Sequence, residues 1–303
     1  MKKIIYYILL TLLFFSEVYS DEWQVVRNDS IRVFYMDANK NLAEETIAIS
    51  DKILNELQSI IKLPFKGDVN IFLANDENTW EKLTHEKLPD WSQAVTKSKT
   101  GVVYLLINRE DGKSLVTVLR HELFHVLIGK KFSAGIIPRW FEEGTAMLFA
   151  KESFSDFAAT LSKANITKSL LTLDEIENVL KFQKSKANLA YAESYLGVKM
   201  IVDALGWEGI QKILTQVNQN KNWETTFHSI LEMDKDQFEW KLFEYIEDHY
   251  KWSFILQSEI LFWVLLPFIA VLVFIFIRLR NYRTIRRWEE EDNLPIQFVS
   301  PDE

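Results

Sequence analysis

The chain has 303 residues, enough for one large domain or two small ones, of which 48% are hydrophobic and 26% are charged. Its formal net charge of −8 excludes a general nucleic-acid binder, because neutralising phosphate groups requires a basic surface. The chain contains no cysteine, which excludes disulfides, a thiol nucleophile and thiolate metal ligands, so a metal site must use His, Asp or Glu.

The N-terminus has the pattern of a secretory signal peptide. Two lysines precede an apolar run over residues 4–15, and a short polar stretch follows it. Val18 and Ser20 are small enough for the two recognition positions of a signal-peptidase site. We therefore predict a signal peptide over residues 1–20, with an uncleaved N-terminal anchor as the alternative.

The first part of the exported segment has both strand and helix patterns. Residues 23–35 predict two strands joined by a turn, and residues 69–74 and 101–108 predict one strand each. Residues 41–62 carry apolar side chains at helical spacing, and Pro64 ends that predicted helix. This part of the chain is therefore expected to combine a sheet with a helix.

The remainder of the exported segment is predicted to be helical. One helix is expected from near Ser114, whose hydroxyl can cap it, to Gly129, and helical patterns dominate further along. We therefore predict the α+β class, with an N-terminal α+β part over residues 21–150 and a helical part over residues 151–250.

A second apolar segment lies near the C-terminus. Residues 260–277 contain no charge and reach the roughly 18 residues that a spanning helix needs. The residues that follow are rich in arginine: Arg278, Arg280, Arg283, Arg286 and Arg287. Because positive residues stay in the cytoplasm, we predict a transmembrane helix over residues 254–277 and a cytoplasmic tail over residues 278–303. The segment between the two apolar runs is then periplasmic or extracellular, and a buried core helix is the alternative for the second apolar run.

Residues 121–125 read His-Glu-Leu-Phe-His. Positions four apart share a helix face, so His121 and His125 can bind one ion. Glu122 lies one step around the helix, where it can contact a water on that ion without binding the ion itself. Two histidines and a glutamate in an apolar helix are costly to bury without a partner, and a metal removes that cost. The alternative is a helix whose histidines form hydrogen bonds in the core, because short motifs recur by chance.

A catalytic zinc site also needs a third protein ligand and an open position for water. The segment over residues 138–146 reads Pro-Arg-Trp-Phe-Glu-Glu-Gly-Thr-Ala. Gly129 and Gly135 allow the chain to turn before it, and Pro138 can begin a second helix. On that helix Glu143 would face the first one, which makes it the candidate third ligand.

Together, the two motifs resemble those of the gluzincin zinc peptidases, and most closely those of the peptidase MA-like domains. The resemblance is strong over residues 121–151, weaker over residues 23–206 and absent in the membrane segment. It implies that the glutamate directly before the glycine, Glu143 and not Glu142, binds a single Zn²⁺ together with the two histidines. It also implies a small mixed sheet, a helix carrying the first motif and a helical C-terminal part.

The resemblance implies hydrolysis of a peptide or protein substrate. Zinc would polarise a water, and Glu122 would act as general base and then as general acid. Tyr191 is the first candidate for a donor to the oxyanion and Tyr195 the second, while packing on a helix is the alternative for both. The strand over residues 101–108 resembles the edge strand that pairs with an extended substrate in this clan, or else it is a core strand. Glu142 is expected either to face solvent or to orient a neighbour.

Some relatives have features that this chain lacks. The aminopeptidases of the clan carry a Gly-x-Met-Glu-Asn motif for the substrate amino terminus, and nothing here matches it. Two other functions remain as alternatives: a catalytically inactive peptidase-like scaffold of the cell envelope, and a non-proteolytic membrane protein with a chance motif. The presence of Glu122 beside all three candidate ligands disfavours both.

Overall fold

The computed structural model describes residues 23–87, 93–107, 113–152, 155–251 and 259–292. The predicted signal peptide over residues 1–20 and the end of the predicted tail, residues 293–303, lie outside the described residues. The division of the exported part near residue 150 stays a prediction.

The described strands form one mixed five-stranded sheet. Its order is β1-β2-β3-β5-β4. The three central strands, β2, β3 and β5, run parallel, and each edge strand is antiparallel to its neighbour. The strands are β1 (Gln24–Arg27), β2 (Ile31–Tyr35), β3 (Val69–Ala74), β4 (Ala94–Lys97) and β5 (Val102–Leu106).

The helices cover most of the remaining described chain. They are α1 (Lys40–Ile61), α2 (Glu77–Thr84), α3 (Leu115–Lys131), α4 (Arg139–Ala150), α5 (Ser155–Thr167), α6 (Leu173–Ile176), α7 (Lys184–Asn220), α8 (Trp223–Leu231), α9 (Lys235–His249) and α10 (Glu259–Asp292). One 3₁₀ turn, Asp37–Asn39, directly precedes α1, and another, Val179–Lys181, lies between α6 and α7. Helix α7 changes direction at Gly206, whose φ of 65° interrupts the helical backbone. The predicted α+β class is confirmed.

The edge of the sheet differs from the sequence-based expectation. The strand predicted over residues 101–108 is β5, and it lies inside the sheet between β3 and β4. The prediction that it forms an edge is therefore wrong, and its alternative as a core strand is confirmed. The edge is instead β4, whose Thr96 pairs with Val103 of β5. The four residues of β4 are too few to show a clear alternation, so the sequence pattern did not reveal this strand.

The two faces of the sheet are covered by different helices. Side chains alternate across the sheet, so residues two apart share a face. Ile71 and Val103 point to the face covered by α1 and α3, where they are fully buried in the main core. Tyr104 and Leu106 point to the opposite face, where Trp80 of α2 covers them. Helix α3 therefore packs into the main core on the α1 side of the sheet.

Helix α3 is a buried central helix. It begins after Ser114, whose hydroxyl accepts a hydrogen bond from the backbone N–H of Thr117 at 3.2 Å, as the capping pattern predicts. Apolar residues occupy nearly every face of its middle turns: Val118, Leu119, Leu123, Phe124, Val126 and Leu127. The surrounding elements α1, α4 and β4 fix its position.

Helix α4 packs closely against α7. It begins after Pro138, as predicted, because the fixed φ of proline suits a helix start. A Cβ added at Gly144 would lie 2.1 Å from the backbone oxygen of Ser194, so only glycine permits this approach. The glycine after Glu143 therefore allows α7 to lie against the helix that carries the candidate third ligand.

One helix in the described part of the chain is long and apolar enough to cross a membrane. Within this stretch, Leu265–Trp288, an 18-residue window has a mean hydropathy of 1.8, and none of that window is buried against the rest of the protein. An exposed apolar surface of this kind is costly in water, so this helix is a candidate for association with a membrane.

Candidate metal centre

Helices α3 and α4 bring three candidate ligand atoms together. The Nε2 atoms of His121 and His125 lie 3.1 Å apart, because the two residues are one turn apart on α3. Oε2 of Glu143, on α4, lies 3.5 Å from each of them. His125 and Glu143 are buried, and His121 is partly exposed. These three residues could hold a metal ion between them.

The second atom of each candidate ligand has a charged partner. Nδ1 of His121 lies 3.0 Å from Oε1 of Glu152, and Nδ1 of His125 lies 2.8 Å from Oε1 of Glu142. Because a carboxylate only accepts hydrogen bonds, each Nδ1 donates, and in the neutral ring that a metal requires Nε2 then keeps its lone pair. Arg139 donates from Nη1 to Oε1 of Glu143 over 3.3 Å. Of the two alternatives for Glu142, the one that orients a neighbour is therefore observed.

Glu152 is the residue of this site that the sequence analysis missed. Lys151 ends α4 with a left-handed φ of 57°, and the backbone N–H of Glu152 bonds back to the carbonyl of Met147. This reversal directs the Glu152 side chain toward His121. On its other side, Lys113 donates to Oε2 of Glu152 over 2.5 Å. No motif contains Glu152, so the only sequence signal was a carboxylate at the end of the ligand-bearing helix.

The electrostatics of the cluster favour a positive charge at its centre. Burial opposes a charged ring at His121, but hydrogen bonds to Glu143 and Glu152 outweigh it and raise the pKa of His121 to about 9. Burial likewise opposes ionised carboxylates, yet the neighbouring histidines hold the pKa of Glu143 well below its ordinary range. Buried carboxylates that stay ionised need a cation beside them. A divalent ion bound by the three ligand atoms would supply that charge.

Glu122 is held at the same site by the edge strand. Its carboxylate is buried, and the Thr96 hydroxyl of β4 donates to Oε2 of Glu122 over 2.6 Å. Thr96 is in turn fixed by the pairing of β4 with β5. No described side chain forms a hydrogen bond with Oε1 of Glu122, so this oxygen is available to a small polar molecule in the cleft.

An open cleft of about 930 Å³ contains the site. Glu122 and the three candidate ligands contribute to its wall, together with strand β4 and Tyr191 of α7. Burial and then the Glu143 carboxylate raise the pKa of the Tyr191 hydroxyl, which therefore stays protonated. Tyr195, one turn further along α7, is buried with its ring centroid 5.6 Å from that of Phe157. The structure thus brings Tyr191, and not Tyr195, to the cleft wall.

The comparison with known families agrees with this arrangement. The sequence model of the Peptidase MA superfamily matches residues 63–247, which is more than half of the chain and includes both motifs. No curated protein gives a significant match. The matched region covers the strands β3 to β5, the helices α2 to α8 and most of α9, and therefore every residue that lines the cleft. The chain belongs to the Peptidase MA superfamily.

Proposed function

We propose that the protein is a membrane-anchored, zinc-dependent peptidase. The observation that carries this proposal is the convergence of Nε2 of His121, Nε2 of His125 and Oε2 of Glu143 beside the Glu122 carboxylate, at the wall of an open cleft. A tetrahedral zinc ion with bonds of about 2.0–2.2 Å separates its ligand atoms by about 3.3–3.6 Å. The two observed separations of 3.5 Å lie in that range and the third, 3.1 Å, is slightly shorter, so a small movement of the histidine rings would complete the site.

The donor set also fits zinc chemically. Two imidazoles and one carboxylate form one of the ligand sets of catalytic zinc sites, which leave the fourth position open to water. When bound, zinc would polarise the substrate carbonyl and lower the pKa of a water to about 7. Glu122 would take the proton of that water on its available oxygen and donate it to the departing amine. Thr96 holds the other oxygen of Glu122, so the carboxylate keeps one orientation.

Strand β4 supports a peptide as the substrate. One side of β4 pairs with β5, and its other side is the edge of the sheet at the cleft. An extended peptide can add to such an edge through backbone hydrogen bonds, which leaves side-chain selection to the surrounding walls. This mode would place a scissile bond of the peptide beside Glu122, because Thr96 of β4 already contacts that residue.

The proposal is tested with the full chain purified in detergent. We expect a single zinc ion per chain by elemental analysis, and cleavage of unfolded casein that a chelator stops and added zinc restores. A chain that binds no zinc at the site would overturn the proposal. A chain that binds zinc and cleaves nothing would instead support the alternative of an inactive peptidase-like scaffold.

Tyr191 is proposed to donate a hydrogen bond to the oxyanion. Tyr191 lines the cleft, and its hydroxyl stays protonated beside Glu143. Tyr191→Phe is expected to lower kcat by about 10²–10³-fold, the usual effect of losing one such donor, with little change in KM. Steady-state kinetics on a casein-derived peptide measures this. Tyr195→Phe is the matched control and should keep kcat within about twofold, because that ring packs against Phe157.

We further propose that the catalytic domain lies outside the cytoplasm. The apolar helix Leu265–Trp288 and the arginines after residue 277 support an inward C-terminus, and the N-terminal pattern supports export. Because the chain lacks cysteine, single cysteines report topology cleanly. A membrane-impermeant maleimide should label Ser133→Cys but not Ser300→Cys in intact spheroplasts. The reverse pattern would exclude this orientation.

A further inference from the structure

Each candidate ligand contacts a charged side chain through the atom that points away from the other two ligands. Arg139, Glu142 and Glu152 make these contacts, at 3.3 Å, 2.8 Å and 3.0 Å from Glu143, His125 and His121 respectively. We call these three residues the outer ring. They come from the start of α4, from its first turn and from the residue after its C-cap, so α4 and the end of its cap supply the support for all three ligands.

Each contact selects one of two possible states of the ligand. A histidine can present either nitrogen to a metal, and a carboxylate behind Nδ1 fixes the tautomer that leaves Nε2 free. A carboxylate can bind a metal through one oxygen or two, and Arg139 occupies Oε1 of Glu143 so that Oε2 alone faces the histidines. The outer ring therefore fixes, before a metal binds, which single atom of each ligand faces the metal position.

We propose that the outer ring sets the metal affinity of this centre and that Glu152 is its dominant member. This inference rests on the metal site of the proposed function, and it assigns the three residues positioning roles and no part in the chemical step. The ranking follows from exposure, since 4% of the Glu152 side chain is exposed, against 15% for Glu142 and 29% for Arg139. A charged contact gains strength as solvent screening falls.

Lys113 adds a second reason for the ranking. It holds Oε2 of Glu152 while Oε1 faces His121, so the carboxylate is fixed at both oxygens. Lys113 directly precedes Ser114, the cap of α3, whereas Glu152 directly follows Lys151, the C-cap of α4. The pair therefore joins the two ligand-bearing helices at the side of the cluster where His121 lies. Glu142 has a weaker second contact, with Arg139 at 3.9 Å.

The test measures zinc affinity by competition with a chelator of known strength. Glu152→Ala is expected to weaken zinc binding by about 100-fold and Glu152→Gln by about 10-fold, because the amide oxygen still accepts from Nδ1 but carries no charge. Glu142→Ala and Arg139→Met should each weaken it less than Glu152→Ala does. The absorption spectrum of the cobalt-loaded protein should also change in Glu152→Ala, since a ligand that has moved alters the field at the metal.

Glu56→Gln is the matched control. Glu56 pairs with Arg120, the residue next to His121, but contacts no candidate ligand. This variant should keep the parent zinc affinity and cobalt spectrum, whatever it does to thermal unfolding. Zinc affinity within twofold of the parent in Glu152→Ala, or a larger loss in Arg139→Met, would overturn the proposal. A parent protein that binds no metal would instead remove the proposed function.

Discussion

Glu122→Gln is expected to bind zinc at the parent stoichiometry and to lose peptidase activity by about 10²–10⁴-fold in kcat/KM. The amide carbonyl can still accept the hydrogen bond from Thr96, so the side chain should keep its position. It cannot take a proton from water, so the step that depends on a general base is lost. Elemental analysis and steady-state kinetics on the same preparation separate these two effects.

Two controls separate the loss of the general base from other effects of the substitution. Glu56→Gln makes the same chemical change in a partly buried salt bridge with Arg120. This variant should retain activity within about twofold. Circular dichroism and thermal unfolding should be unchanged in Glu122→Gln, which excludes a folding defect. If Glu122→Gln cleaves casein at the parent rate, Glu122 is not the base. If it loses zinc, Glu122 is a ligand, and the site has been assigned wrongly.

Glu143→Ala is expected to weaken zinc binding by more than about 10–100-fold, which is the typical effect of removing a residue that only supports a ligand. The substitution removes the only candidate ligand atom that α4 directs at the two imidazoles. A pair of histidines alone does not meet the three-ligand requirement of catalytic zinc. The loss is measured by chelator competition, and peptidase activity should disappear with the metal.

The neighbouring carboxylate provides the control for this assignment. Glu142 lies next to Glu143 on the same helix, but its Oε1 contacts Nδ1 of His125 and not the position shared by the Nε2 atoms. Glu142→Ala should therefore weaken zinc binding by no more than about 10–100-fold. If Glu142→Ala loses more zinc than Glu143→Ala, the roles of the two glutamates are reversed.

The helices that carry the candidate ligands are the part of the site that local sequence patterns reveal best. Helix α3 has a capping serine, and α4 has a proline at its start, so both could be predicted from a few adjacent residues. The spacing of His121 and His125 follows from helix geometry alone. The position of Glu143 could not be predicted from its own helix alone, because its approach to α3 depends on a turn and on the packing of two helices.

The contacts between distant segments could not be predicted in this way. Strand β4 has four residues, so its position at the sheet edge comes from pairing with β5 rather than from its own pattern. Glu152 contacts His121 only because the chain reverses at Lys151. The choice between Tyr191 and Tyr195 depends on how α7 is rotated against α4. These features depend on tertiary packing, which a single sequence does not display as a local pattern.

The most direct measurement is a crystal structure with data collected on both sides of the zinc absorption edge. We expect one anomalous peak within about 2.0–2.2 Å of Nε2 of His121, Nε2 of His125 and Oε2 of Glu143. No atom of Glu122 should lie within bonding distance of that peak. A peak bound by Glu142 or Glu152, or no peak between the two imidazoles in zinc-loaded crystals, would contradict the proposed metal centre.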